Sequence, residues 1–91
     1  MRFSTRARYG IRALVDVALH QESGPVPLKT IARRQEISVS YLEHIVAPLV
    51  RAGLVRATRG PHGGITLARP PSEISVREAV EILEGSMAPV D

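Results

Sequence analysis

Ser40, Glu43 and His44 stand three and four residues apart, a spacing that aligns them on one face of any helix containing them. Each side chain could do a different job there. Ser40 can donate or accept a hydrogen bond, which adds affinity to a base edge but discriminates poorly. Glu43 is more informative: a carboxylate is repelled by phosphates, yet it can accept from cytosine N4 in a DNA major groove. A good base contact of that kind discriminates by roughly 1–3 kcal/mol. Glu43 could equally complete a helix-capping box with Ser40, and the two roles can coexist. His44 could touch a base or a phosphate, or simply be solvated. Tyr41 falls at the edge of the same helix, where its hydroxyl could reach a phosphate, and Ser38 lies just before it.

Arg59 directly precedes the run GPHGG at 60–64. An arginine carried on a hairpin tip can enter a narrow, A/T-rich minor groove, where the negative potential is enhanced. An arginine beside a turn is otherwise merely solvated. The small residues next to it allow close backbone approach and favour the first role. Arg6, Arg8, Lys29, Arg33, Arg34, Arg51 and Arg56 are candidates for phosphate contact, and the N-terminus of a first helix could also present amides to a phosphate.

Other chemistries find little support. His20, His44 and His62 lack metal-ligand spacing, no nucleophile–base set stands out, and no catalytic residue or metal ligand is assigned. GPHGG is no phosphate loop, because no lysine–serine pair follows it and strands flank it on both sides. The chain has no cysteine, which removes disulfides, thiol catalysis and cysteine-ligated clusters from these residues. No apolar run is long enough for a membrane span or a signal-peptide core. The expected compartment is the cytoplasm, with no membrane partner.

Charge is unevenly spread. Residues 1–69 hold eleven basic and four acidic side chains, whereas residues 70–91 hold one basic and five acidic. A basic body thus carries an acidic appendage, and eleven of the chain's twelve cations are arginine, the side chain that forks onto phosphate and guanine. That balance favours nucleic acid without deciding it.

The elements that must position these residues are readable from periodicity. A first helix is expected over about 5–21, capped by Ser4 or Thr5, with Ala7, Ile11, Leu14 and Ala18 recurring and Arg8, Arg12 and Asp16 on the polar side. Gly10 inside it implies close approach of another helix, since glycine there costs roughly 1 kcal/mol against alanine. A short second helix follows over about 28–35. The third runs over about 39–52, with Val39, Leu42, Ile45, Val46, Leu49 and Val50 apolar, capped by Ser38 or by Ser40 with Glu43. Pro48 predicts a kink near 44–48 rather than an end, because the apolar rhythm continues past it. Gly53 suits a C-cap. Residues 54–69 read as a hairpin of two alternating strands, and an acidic last helix is expected over about 75–85, with Ser75 and Glu78 spaced for a capping box.

Three helices followed by a hairpin is the order of a winged helix-turn-helix: one domain over 1–91, mainly α with a small β-hairpin. Ala32 provides the small residue where the two helices of the motif cross, and Ile37, Leu42 and Ile45 provide its buried contacts. Glu36 stands where such turns often place a left-handed glycine, at a cost of about 1 kcal/mol. The leading function is sequence-specific DNA binding, and the alternative is a winged-helix protein-interaction module without DNA binding. An accessory domain of an enzyme is the third reading. The arginines at 51 and 59 argue for the first.

At this point MRFSTRARYGIRAL, GPVPLKTIARRQEISVSYLEHIV, GLVRATRGPHGGITLARP and ISVREAVEILEG closely resemble the Rrf-two family of bacterial winged-helix regulators. The family includes regulators of iron–sulfur, nitric-oxide and cysteine metabolism. The resemblance implies transcription regulators, often repressors, that bind palindromic double-stranded DNA operators as homodimers. It puts base readers at Ser40 and Glu43, a minor-groove contact at Arg59, and residues near the DNA backbone at Ser38 and Tyr41. Members of the family typically continue into a long dimerisation helix, and cluster-binding members carry three cysteines there. Those parts are expected to be missing from this chain, leaving a parent iron–sulfur regulator open and weak or no dimerisation at micromolar concentration.

Overall fold

The computed structural model describes residues 3–85 and gives four helices and one antiparallel hairpin in the order α1 (Thr5–His20), α2 (Leu28–Gln35), α3 (Val39–Arg51), β1 (Val55–Thr58), β2 (Gly64–Leu67) and α4 (Val76–Gly85). Short 3₁₀ turns at Gln21–Ser23 and Pro71–Glu73 close the first helix and lead into the last. This is the winged helix-turn-helix architecture.

Ser4 starts α1, its hydroxyl accepting from the Ala7 amide at 3.1 Å. The buried stripe of α1, Ala7, Gly10, Ala13, Leu14 and Val17, faces α3 and α4. Gly10 has a packing reason. A Cβ there would run into the Leu83 isobutyl group and come within 3.2 Å of Ile45 Cγ2, so α1 and α4 approach as closely as a missing side chain allows. Ile31, Leu42, Ile45, Leu49, Leu54 and Leu83 are fully buried between the helices and form the core with Val17. At about 25 cal/mol per Å² of apolar surface buried, these side chains are the main source of stability. Val39 and Val50, apolar by rhythm, are 38% and 37% exposed at the margins of α3.

The helix-turn-helix joint closes on the left-handed residue that its sequence made costly. Glu36 has φ 60° and ψ 43°, its amide donates to the Arg33 carbonyl at 3.3 Å, and the Ile37 amide donates to Ala32 at 3.0 Å. This is a Schellman closure with glutamate where glycine is usual. A second such closure ends α3, where Gly53 (φ 79°) and Leu54 donate to Val50 and Leu49. Helix α3 continues unbroken through buried Pro48, whose ring nitrogen leaves the His44 carbonyl without its in-helix donor.

The wing pairs Val55 with Leu67, Arg56 with Thr66, Ala57 with Ile65 and Thr58 with Gly64. It is tied to the loop before α2: Val26 and Ile65 exchange both backbone hydrogen bonds at 2.9 Å, and the Leu67 amide donates to Gln21 Oε1 at 2.8 Å. Gly64 makes this possible, for its φ is 155° and a Cβ would overlap the Val26–Pro27 backbone. Helix α4 is fastened by the Ser75 cap on the Glu78 amide (3.0 Å), by Arg69 donating to Glu78 (3.0 Å) and by the Ser4 amide donating to Glu84 (3.1 Å).

Two expectations are corrected here. Ser40 and Glu43 form no capping box. Ser38 accepts from the Tyr41 amide at 3.0 Å and is the N-cap, which places Ser40 inside the first turn with its side chain outward. Asp16 does not line the polar side of α1; it is buried, with 5% of its surface exposed. Its carboxylate accepts from Arg34 Nε at 2.9 Å and Nη2 at 2.6 Å and from Gln35 Nε2 at 3.2 Å. The Arg34 guanidinium holds this carboxyl below its ordinary value against the opposing effect of burial, while Gln35 and His20 add to the lowering. His20 Nδ1 donates to the Asp16 carbonyl at 2.7 Å, so the cluster binds the C-terminal end of α1 to that of α2.

Candidate nucleic-acid interface

Helix α3 buries Leu42, Ile45, Val46 and Leu49 and turns the opposite face outward. Ser40, Glu43 and His44 lie on that outer face, lining a shallow open depression with Ala47. Arg51 continues the row one turn later and is also exposed. None of the Ser40, Glu43 or His44 side chains takes part in a hydrogen bond or ion pair among the described residues. Their donors and acceptors are therefore free for a ligand. With the cap assigned to Ser38, the structural explanation for Glu43 is gone.

Arg59 is exposed directly after β1, where the chain enters the wing turn. The turn closes through the Gly63 amide donating to the Gly60 carbonyl at 2.9 Å. Gly60 has φ 104°, and a Cβ on Gly63 would strike the backbone of Thr58 and Arg59. The turn is thus tight at Gly63, where no side chain fits, while Pro61 and His62 are exposed at its tip and Arg59 is the cation beside it. Ser38 Oγ accepts in the cap but keeps its own hydrogen free to donate. Tyr41 is half-buried, its ring edge-on to Tyr9 with centroids 6.3 Å apart. The structure thus brings Ser40, Glu43 and His44 together, sets Ser38 and Tyr41 at the start of the same helix, and places Arg59 apart on the wing.

Of the cations proposed for phosphate contact, Arg34 is removed by its bond to Asp16, and Arg8, Lys29, Arg33, Arg51 and Arg56 are exposed. Sequence reasoning missed the Asp16 cluster and the Tyr9–Tyr41 contact. The signal for the first was present: Asp16 falls three residues after Ala13 and four before His20, on the flank of the apolar stripe.

A family model described as Rrf2, iron-dependent transcriptional regulator, matches residues 3–91. The chain belongs to the Rrf2 family. Among curated Rrf2-type relatives it is 46% identical over 91 residues to protein rrf2 of Nitratidesulfovibrio vulgaris, covering all of this chain and 61% of that one. It is 45% identical over 87 residues to the HTH-type transcriptional regulator IscR of Aliivibrio salmonicida, covering 96% of this chain and 52% of that one. The chain therefore spans about half to three-fifths of the length of these relatives. Among solved structures, CymR, the global cysteine regulator of B. subtilis, superposes with TM-score 0.89 at 38% identity over the whole chain and 70% of its own. T. potens IscR superposes with TM-score 0.85 at 46% identity over the whole chain and 66% of its own. Rrf2 proteins are transcriptional regulators rather than enzymes.

The family description raises iron, and the residues do not fit it. The 91 residues include no cysteine, and the described residues bring no three histidine, aspartate or glutamate side chains together as a metal site. Iron–sulfur ligation by thiolate has no donor among these residues. No helix among the described residues is long and apolar enough to cross a membrane.

Proposed function

We propose that residues 1–91 form one winged-helix domain that reads a palindromic double-stranded DNA operator, with α3 in the major groove and the wing in the minor groove. The observation that carries this reading is the outward row Ser40, Glu43 and His44, whose side chains have no partner among the described residues. Ser40 and His44 supply hydrogen-bonding groups to base edges, and Glu43 selects cytosine while repelling other sequences. Arg59 enters a narrow minor groove beside the tight wing turn. Ser38 and Tyr41 donate to the backbone at the start of α3, where the helix N-terminus also favours phosphate.

The protein acts in the cytoplasm as a regulator, most simply a repressor that occludes a promoter. Two copies on the two half-sites would match the palindrome. Any iron–sulfur or redox response of a longer parent would be held by residues other than these 91. Selection of random duplex DNA at a fixed, stated salt concentration tests the reading, because affinity without the salt value is uninterpretable. Enrichment of an inverted repeat is expected. Recovery of unselected sequence with binding that fades uniformly with salt would leave only a non-specific basic surface.

A further inference from the structure

Arg12 did not figure among the phosphate-contact candidates, and the structure singles it out. Its guanidinium carbon lies 5.4 Å from the centroid of the Tyr9 ring, over the ring face. Tyr9 meets Tyr41 of α3 edge-on, with centroids 6.3 Å apart and the rings 80° from coplanar. The guanidinium is therefore no further from the Tyr41 ring than those two distances together, on the flank of the start of α3. Arg12 is exposed, and among the described residues no carboxylate pairs with it. Its natural partner would be Asp16, one helical turn on. That carboxylate is buried and already occupied by Arg34 and Gln35.

The consequence is an exchange of roles between two arginines. Arg34, basic and at the end of α2, commits its Nε and Nη2 donors to Asp16. Arg12 lies over an aromatic face, a cation–π placement that confines the guanidinium while leaving its N–H donors without an acceptor among the described residues. That placement also restricts the side chain in advance, so less freedom is lost on binding. Arg8, one turn earlier and also exposed, adds positive charge to the same side of α1 and supplies no competing acceptor.

We infer that Arg12, held over Tyr9, whose ring meets Tyr41, is a binding residue for a DNA backbone phosphate flanking the segment read by α3, and that Arg34 is not. The inference rests on the DNA-binding reading above. It is tested by measuring affinity between 50 and 200 mM salt on the selected duplex and on a random one, for wild type, Arg12→Gln, Arg12→Lys and Arg34→Gln, each shown to be folded by circular dichroism. Removing one phosphate contact lowers the slope of log affinity against log salt by about 0.9, so the affinity lost across that range should shrink about 3.5-fold per bound protomer in Arg12→Gln. The loss should be similar on both duplexes. Arg12→Lys should keep the wild-type slope and bind more weakly than arginine, and Arg34→Gln should keep the slope.

An unchanged slope in Arg12→Gln, with wild type binding normally, overturns the inference alone. Equal affinity of Arg12→Lys and wild type would reduce the contact to bulk charge and overturn it as well. So would a slope in Arg34→Gln that falls as far as in Arg12→Gln. A wild-type protein that binds neither duplex refutes the DNA-binding reading and this inference with it.

Discussion

Cutting the Asp16–Arg34 pair from either side should have unequal effects. The Asp16 side chain is 3% exposed and that of Arg34 is 36% exposed. Arg34→Ala leaves a carboxylate in a nearly dry site with only Gln35 and His20 as partners. Breaking a fully buried pair in this way costs 3–5 kcal/mol; the remaining Gln35 bond and the partial exposure of the cation bring the expected cost to about 2–4 kcal/mol. Asp16→Ala instead releases an arginine that already touches water and can rotate outward. What is lost is the charge-assisted bonding, about 1.5–2.5 kcal/mol. The arginine variant should therefore be less stable than the aspartate variant by roughly 1 kcal/mol, a difference of several degrees in Tm for a domain of this size.

The cost should also depend on pH, with a defined sign. The folded-state pKa of Asp16 is lowered, so its stabilisation is present above the unfolded carboxylate value of about 3.9 and is lost as pH falls through the folded value. Urea unfolding of wild type and both single variants at pH 7, and again across the acid range, gives the comparison. The gap between wild type and Asp16→Ala should narrow as the carboxylate protonates. If Asp16→Ala proves the more damaging change, or both cost less than about 0.5 kcal/mol with no pH dependence, the pair behaves as a surface ion pair and the reasoning fails.

Four further outcomes are expected. Glu36→Gly should stabilise the fold by about 1 kcal/mol in thermal melts, because glycine occupies φ 60° without the steric penalty of a side chain; destabilisation would show that the glutamate contributes something beyond its backbone. Gly10→Val should cost about 1–3 kcal/mol through overpacking against Leu83 and Ile45, and a neutral result would mean that α1 and α4 can separate freely. Glu43→Ala should relax sequence preference by about 1–3 kcal/mol while keeping or raising affinity for random DNA, whereas Arg59→Ala should weaken binding most on A/T-rich flanks. A stability loss without a change in preference would return Glu43 to a structural role, and equal loss on every sequence would make Arg59 an ordinary phosphate contact.

Much of this architecture was legible because its signals are local. The rhythm Leu42, Ile45, Val46, Leu49 marks a buried helix face whatever packs against it, and the glycines at 60, 63 and 64 mark a turn between alternating strands. The outward row on α3 follows from the same rhythm by subtraction. What escaped depends on contacts between distant segments. Asp16 looked like surface because its partners lie 18 and 19 residues away, and a lone carboxylate beside an apolar stripe does not say which cation will cover it. The capping choice between Ser38 and Ser40 turned on where the first helical residue falls, a matter of backbone geometry. The pairing of Val26 with Ile65 left no periodic trace, being a single bridge between a proline-flanked loop and the wing.

That bridge makes the wing part of the same rigid body as the helices. Gln21 and Val26 hold β2 from the segment leading into α2, and Gly64 gives them the clearance to do so. The base of the strands that carry Arg59 is consequently held at a set distance from the outward row of α3, like the jaws of a caliper set once during folding. A duplex whose groove spacing does not match that distance must be the partner that bends, overwinds or narrows. The energy of that deformation depends on base steps the protein never touches. In the proposed complex a backbone bridge far from the nucleic acid thus contributes to selecting sequence: it would make the protein a gauge of DNA stiffness as well as a reader of its bases.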